Sequence, residues 1–225
     1  MNSLYARTVR AGLQGIIVFA ALIFIPAGTL KYWQGWAFLL TFSVASTALT
    51  VYMAIYDPKL LERRLRAGPR AEKEPAQKVI MLFVMLGFGA LLVFPTIDHR
   101  FGWSPVPTYV SAVGDVLVAL SFLLIFFVLR ENSYAASTIQ VAEGQRVIST
   151  GPYALVRHPM YASALLLLIG MPLSLGSWLG LLGLVVIVPI LIFRLLDEEK
   201  FLSRNLPGYV VYKATVRSRL IPGIF

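Results

Sequence analysis

The chain has 225 residues, of which 58% are hydrophobic and only 14% charged, with a formal net charge of +9 and no cysteine. So apolar a composition excludes an ordinary soluble domain, which carries about 25% charged residues. The lack of cysteine excludes disulfides, thiolate metal sites and a thiol nucleophile.

A helix needs roughly 20 apolar residues to cross a bilayer core about 30 Å thick. Candidate spans lie at Ala11–Leu30, Trp36–Tyr56, Val79–Ile97, Tyr109–Leu129, Tyr161–Leu173 and Trp178–Leu196. The fifth is marginal in length, and only "PLSLGS" parts it from the sixth, so the last pair reads either as two spans or as a short hairpin. The expected fold is all-α, an integral-membrane bundle of five to six transmembrane helices. Residues 1–130 would hold four spans with a basic loop at 57–78. Residues 131–225 would hold a polar loop, a helical hairpin and a C-terminal tail.

The basic residues alternate with the spans. With the N-terminus inside, 18 Lys and Arg fall on the cytoplasmic side, against Lys31 and Arg100 outside. By the positive-inside rule both termini are cytoplasmic in this multi-pass chain. The electrostatic partners are then anionic membrane lipids, and no nucleic-acid partner is expected. The first 28 residues share the outline of a signal peptide, but the charge alternation works best if they stay as span one.

In chain order, Tyr32, Trp33, Trp36, Trp103 and Trp178 read as interfacial anchors. Asp57-Pro58 is an N-cap and first-turn pair for a short helix. Leu60, Leu61 and Leu65 against Arg63, Arg64 and Arg66 suit a helix lying on headgroups; a solvated basic loop is the alternative. Gly87, Gly89 and Gly114 allow close helix packing. Asp115, about two turns into its span, reads as a hydrogen-bonded structural group.

Two polar regions face the same side and can roof the bundle: the loop Arg130–Pro159 and the tail from Arg194. In the loop, β-branched residues flank Glu143-Gly144, which predicts a small hairpin. Arg157 and His158 precede Pro159; taken singly, they read as a snorkelling anchor and a helix cap. In the tail region, Arg194 and Glu198 share a helix face four residues apart, with Asp197 and Glu199 beside them. Arg194 closes an apolar run, where an unused charge is expensive. Arg holds carboxylates and Glu receives ammonium groups, so the pair suits a mixed-charge ligand. With only His99 and His158 and no acidic cluster, no metal site is expected. No Walker loop, GxGxxG or GxSxG elbow is present. Group transfer from an activated cofactor fits what remains.

The succession "QVAEGQRVISTGPYALVRHPMY", "RLLDEE" and "LPGYVVYKATVRSRLIPG" resembles the isoprenylcysteine carboxyl methyltransferase and phospholipid methyltransferase superfamily over about the last 85 residues. The upstream "DPKLLERRLR" resembles the inner-loop segment of its prokaryotic branch. The resemblance implies a membrane enzyme using S-adenosyl-L-methionine, and makes 131–225 the methyltransferase core. Gln140, Gln145, Arg146, Val147, Ile148, Tyr153, His158, Pro159, Met160 and Tyr161 would bind that cofactor together with Glu198. Arg194 would face the substrate, and Arg194 and Glu198 are the candidate catalytic pair. Where Gln145 stands, some eukaryotic relatives carry His. The acceptor would be a lipophilic small molecule or a prenylated substrate, a carboxylate in the leading reading and a phospholipid amine in the second. An amine must lose a proton, to Glu198 or Glu199. Membrane sterol reductases carry a similar "RHPxY" and use NADPH, so a reductase stands as the competing class. A non-catalytic membrane protein is the third.

Overall fold

The computed structural model describes residues 2–72 and 74–225; Lys73, one of the basic residues of the 57–78 loop, lies outside them. A long apolar segment can satisfy its backbone polar groups without water only as a helix. The chain accordingly forms α1 (Asn2–Ala27), α2 (Trp33–Tyr56), α3 (Pro58–Leu65), α4 (Pro75–Phe101), α5 (Thr108–Glu131), α6 (Pro159–Ser174), α7 (Leu184–Asn205) and α8 (Tyr209–Thr215). No strand occurs among the described residues. Among the described residues, five helices are long and apolar enough to cross a membrane, the last counted from Leu179 through α7, while α6 has only 16 residues. The protein is an all-helical, membrane-spanning bundle.

Against the expected spans, α1 and α4 begin earlier. Helix α4 starts at Pro75, in the first-turn position that proline favours. Helix α6 runs through Pro172 and stops at Ser174. Gly176, at φ 77°, then turns the chain, with its N–H on the Leu173 carbonyl at 2.9 Å. The α5–α6 contact sets the core. A Cβ added at Gly114 would lie 2.2 Å from the Ser174 nitrogen, so only glycine admits this approach. Beside it, Ser174 donates to the Asp115 carboxylate at 2.5 Å, which gives Asp115 the structural role expected of it. Gly87 faces Ile187 closely, whereas nothing lies within 4 Å of a Cβ at Gly89, so Gly89 is not a packing glycine.

Trp33, Trp36, Trp103 and Trp178 are exposed, as interfacial anchors should be. Tyr32 is not an anchor. It is fully buried, stacks on His99 at 3.9 Å and donates to the Leu175 carbonyl at 2.5 Å. Nearby, buried Asp98 accepts from the Ser104 N–H at 2.8 Å and from the Ser104 and Ser177 hydroxyls, which ties the loops at this end together.

At the opposite end, Asp57 caps α3 by accepting from the Leu60 N–H at 2.9 Å. The helix does not lie on headgroups through its leucines: Leu60 and Leu61 are buried against Met53 and Leu129. Arg63 and Arg64 reach from it to the carbonyls of Ser133 and Ala135, at 2.5 and 3.2 Å. The hairpin expected around Glu143-Gly144 is absent. A turn forms there, closed by Gln145 N–H to Ala142 O at 3.1 Å, but the arms make no ladder. An isolated two-stranded pair is at best marginal, and these arms spend their side chains on the wall of a cavity instead.

Candidate active site

The polar loop 132–158 and the C-terminal tail meet over this end of the bundle. Backbone bonds from the Arg157 N–H to Ser218 O (3.0 Å) and from the His158 N–H to Arg219 O (2.9 Å) lay the tail along the start of α6. Arg157 then turns inward. Its Nη1 donates to the carbonyls of Val216 and Arg217, each at 2.9 Å, and its Nε donates to Glu199 Oε1 at 2.6 Å. Glu199 also meets His158 Nε2 at 3.3 Å and Arg219 Nε at 3.1 Å. Arg157 is therefore a buried clamp and not a snorkelling anchor, and His158 makes no side-chain cap. Glu199, read from sequence as added acidity, is the hub that binds motif to tail.

Beneath this roof lies a cavity of about 360 Å³, within the size range of small-molecule sites. Its wall includes all twelve residues that the resemblance assigns to cofactor and substrate. Gln140, Gln145, Arg146, Val147 and Ile148 come from the loop, and Tyr153 from the 3-10 turn Gly151–Ala154. His158, Pro159, Met160 and Tyr161 come from the start of α6, and Arg194 and Glu198 from α7. Glu198 faces the cavity with its Oε2 held by the Tyr161 hydroxyl at 2.6 Å. Glu199 is not part of the wall; its carboxylate is engaged by Arg157, His158 and Arg219. Met81 and Val84 of α4, Ala164 of α6 and Leu191 of α7 add an apolar side, so the cavity draws on both halves of the chain.

Tyr153 accepts from Asn132 Nδ2 at 2.9 Å, and its carbonyl accepts from the Tyr212 hydroxyl at 2.8 Å. Burial pushes the Tyr153 phenol up to about 12, so it stays neutral. Tyr209 also lines the cavity, is 4% exposed, and its hydroxyl has no hydrogen-bond partner among the described residues.

Arg194 is not bonded to Glu198. Its Nη2 pairs with Glu72 Oε1 at 2.5 Å, its Nη1 donates to Gln77 Oε1 at 2.8 Å, and Gln77 in turn donates to Asp197. Glu72 also accepts from the Ile139 N–H at 3.2 Å, which couples Arg194 to the loop. Sequence reasoning missed Glu72, Gln77, Arg64 and Tyr209. Their signal was faint: one acid ahead of a proline-led helix and a glutamine in that helix's first turn, one arginine among several, and one tyrosine of the tail.

Residues 109–207 match the phospholipid methyltransferase family. This family lies within the membrane methyltransferase superfamily that the C-terminal motifs resemble, so that resemblance holds. The phospholipid methyltransferase match covers α5, the loop, α6 and α7, and contains all twelve wall residues named from the sequence. Arg64, Glu72 and Tyr209 lie outside it. A comparison with curated proteins found no match.

Proposed function

We propose that the protein transfers a methyl group from S-adenosyl-L-methionine to a lipophilic acceptor that enters from the membrane, with the polar end bearing both termini on the cytoplasmic side. The observation that carries this reading is the convergence of loop, α6 and α7 motif residues on one cavity with a polar and an apolar side. The residues suit such a cofactor. Among the described residues, Glu198 is an acid in the wall with only a phenol for partner, and the buried Tyr209 hydroxyl lacks one. A ligand carrying both an ammonium and hydrogen-bond acceptors satisfies both. When bound, the cofactor supplies an electrophilic methyl group on a sulfonium.

The chain's own residues do the rest. Glu198 would take the ammonium, and the loop 145–148, Tyr153 and the His158–Tyr161 turn would enclose the remainder. Met81, Val84, Ala164 and Leu191 hold the acceptor's apolar part and exclude water. Alignment of the two reactants accounts for most of the rate enhancement, since the protein forms no covalent bond.

The acceptor head is an amine in the reading the site supports best. Glu72 answers the charge of Arg194, so the guanidinium does not present a free cation to the cavity. Glu198 is then the wall acid able to receive the departing proton. A carboxylate acceptor is the second reading, favoured because Arg194 lines the cavity and has donors beyond those held by Glu72, Gln77 and Ser137. Calorimetric titration of the purified protein with S-adenosylhomocysteine and with NADPH tests the class. Saturable binding of the first alone supports methyl transfer, and binding of NADPH alone replaces it with a reductase. Label transfer to phosphatidylethanolamine or to a prenylated cysteine then separates the acceptors.

A further inference from the structure

The cavity wall contains four arginines, and their surroundings differ. Arg157 is answered by Glu199 and Arg194 by Glu72. Arg146 is exposed to solvent on the loop. Arg64 is partly buried and has no carboxylate within ion-pair distance among the described residues.

The fold holds Arg64 in place. The Asp57 cap starts α3 and the buried Leu60 and Leu61 fix its rotation. The guanidinium donates to the Ala135 carbonyl at 3.2 Å, and the Arg64 carbonyl accepts from the Ser137 hydroxyl at 3.2 Å. Its neighbour Arg63 instead donates to Ser133 and lies 5.5 Å from the Tyr134 ring, outside the wall. Burial lowers the Arg64 guanidinium from the usual arginine range. One carbonyl takes one of five donors and supplies no counter-charge.

We propose that Arg64 is an anion-binding residue of this cavity, holding a carboxylate or a phosphate oxygen of the ligand. On the methyltransferase reading, two sources offer that chemistry: the methionyl carboxylate of the cofactor and the phosphodiester of a phospholipid acceptor. Arginine matches either with paired N–H donors.

The test is Arg64→Gln, read by calorimetry with four probes. These are S-adenosylhomocysteine, methylthioadenosine (which lacks the amino-acid end), short-chain phosphatidylethanolamine, and an alkylamine of similar chain length. A loss of about tenfold for S-adenosylhomocysteine with methylthioadenosine unchanged assigns Arg64 to the carboxylate, as a charge-assisted hydrogen bond predicts. The same loss for phosphatidylethanolamine with the alkylamine unchanged assigns it to the phosphate. Unchanged affinity for all four, or an equal loss for all four, overturns the proposal. If the Gln variant does not fold, Arg64→Lys is read with the same probes, and its loss must again fall on one anionic ligand alone. Should the wild-type protein bind no S-adenosylhomocysteine, the methyltransferase reading fails, while the phospholipid pair still tests Arg64.

Discussion

Glu199→Gln removes the charge at the centre of the roof. Glu199 is 3% exposed and Arg157 6%, and their contact at 2.6 Å is joined by Arg219 and His158. Removing one partner of a buried pair costs about 3–5 kcal/mol, because the other charge is left buried without an answer. Arg157 keeps its bonds to the Val216 and Arg217 carbonyls, which places the loss near the lower end, about 3 kcal/mol. At about 2–4 °C per kcal/mol for a chain of this size, the midpoint of thermal unfolding in detergent should fall by roughly 6–12 °C. Limited proteolysis should detach the tail beyond Leu206 earlier than in the wild type. The double variant Glu199→Leu with Arg157→Met should recover at least half of the loss, since apolar groups of similar volume replace such pairs at little cost. A Gln variant within about 2 °C of the wild type, with an equally protected tail, would refute the reasoning.

Three further outcomes follow from the cavity and the core. Glu198→Gln should weaken S-adenosylhomocysteine by roughly 10- to 100-fold, the worth of a hydrogen bond to a charged group, and calorimetry showing unchanged affinity removes it from the site. Tyr209→Phe should weaken the same ligand by about 2- to 12-fold while leaving the free protein as stable or slightly more so, because the hydroxyl has no partner without ligand. A variant less stable without ligand and unchanged in affinity argues that the hydroxyl is structural. Gly114→Val forces a Cβ onto the α6 backbone and should cost at least about 3 kcal/mol, read as a lower thermal midpoint. A fully stable variant would mean that α5 and α6 can separate without penalty.

The sequence by itself determined what depends on local composition. Apolar runs of membrane length become helices because lipid offers backbone groups no other partner, so all six segments are found, although α6 is short. The Asp57-Pro58 cap was legible for the same reason, since a cap is satisfied within three residues. The twelve candidate site residues came from the family resemblance of the loop and tail motifs, and only Arg194 and Glu198 also from their four-residue spacing on one helix face. Their meeting around one cavity belongs to the tertiary structure.

The same holds for every charge pairing that matters. Arg194 had Glu198 as its obvious neighbour four residues away, yet it pairs with Glu72, 122 positions distant, because α4, the loop and α7 converge there. Glu199 was one acid among three until Arg157 and Arg219 closed on it from separate segments. The hairpin failed for a related reason: β-branched residues favour extended backbone, but a ladder needs a partner edge, and the cavity takes these side chains first. Ion pairs in a desolvated interior are chosen by which elements share a space, and sequence distance carries no information about that.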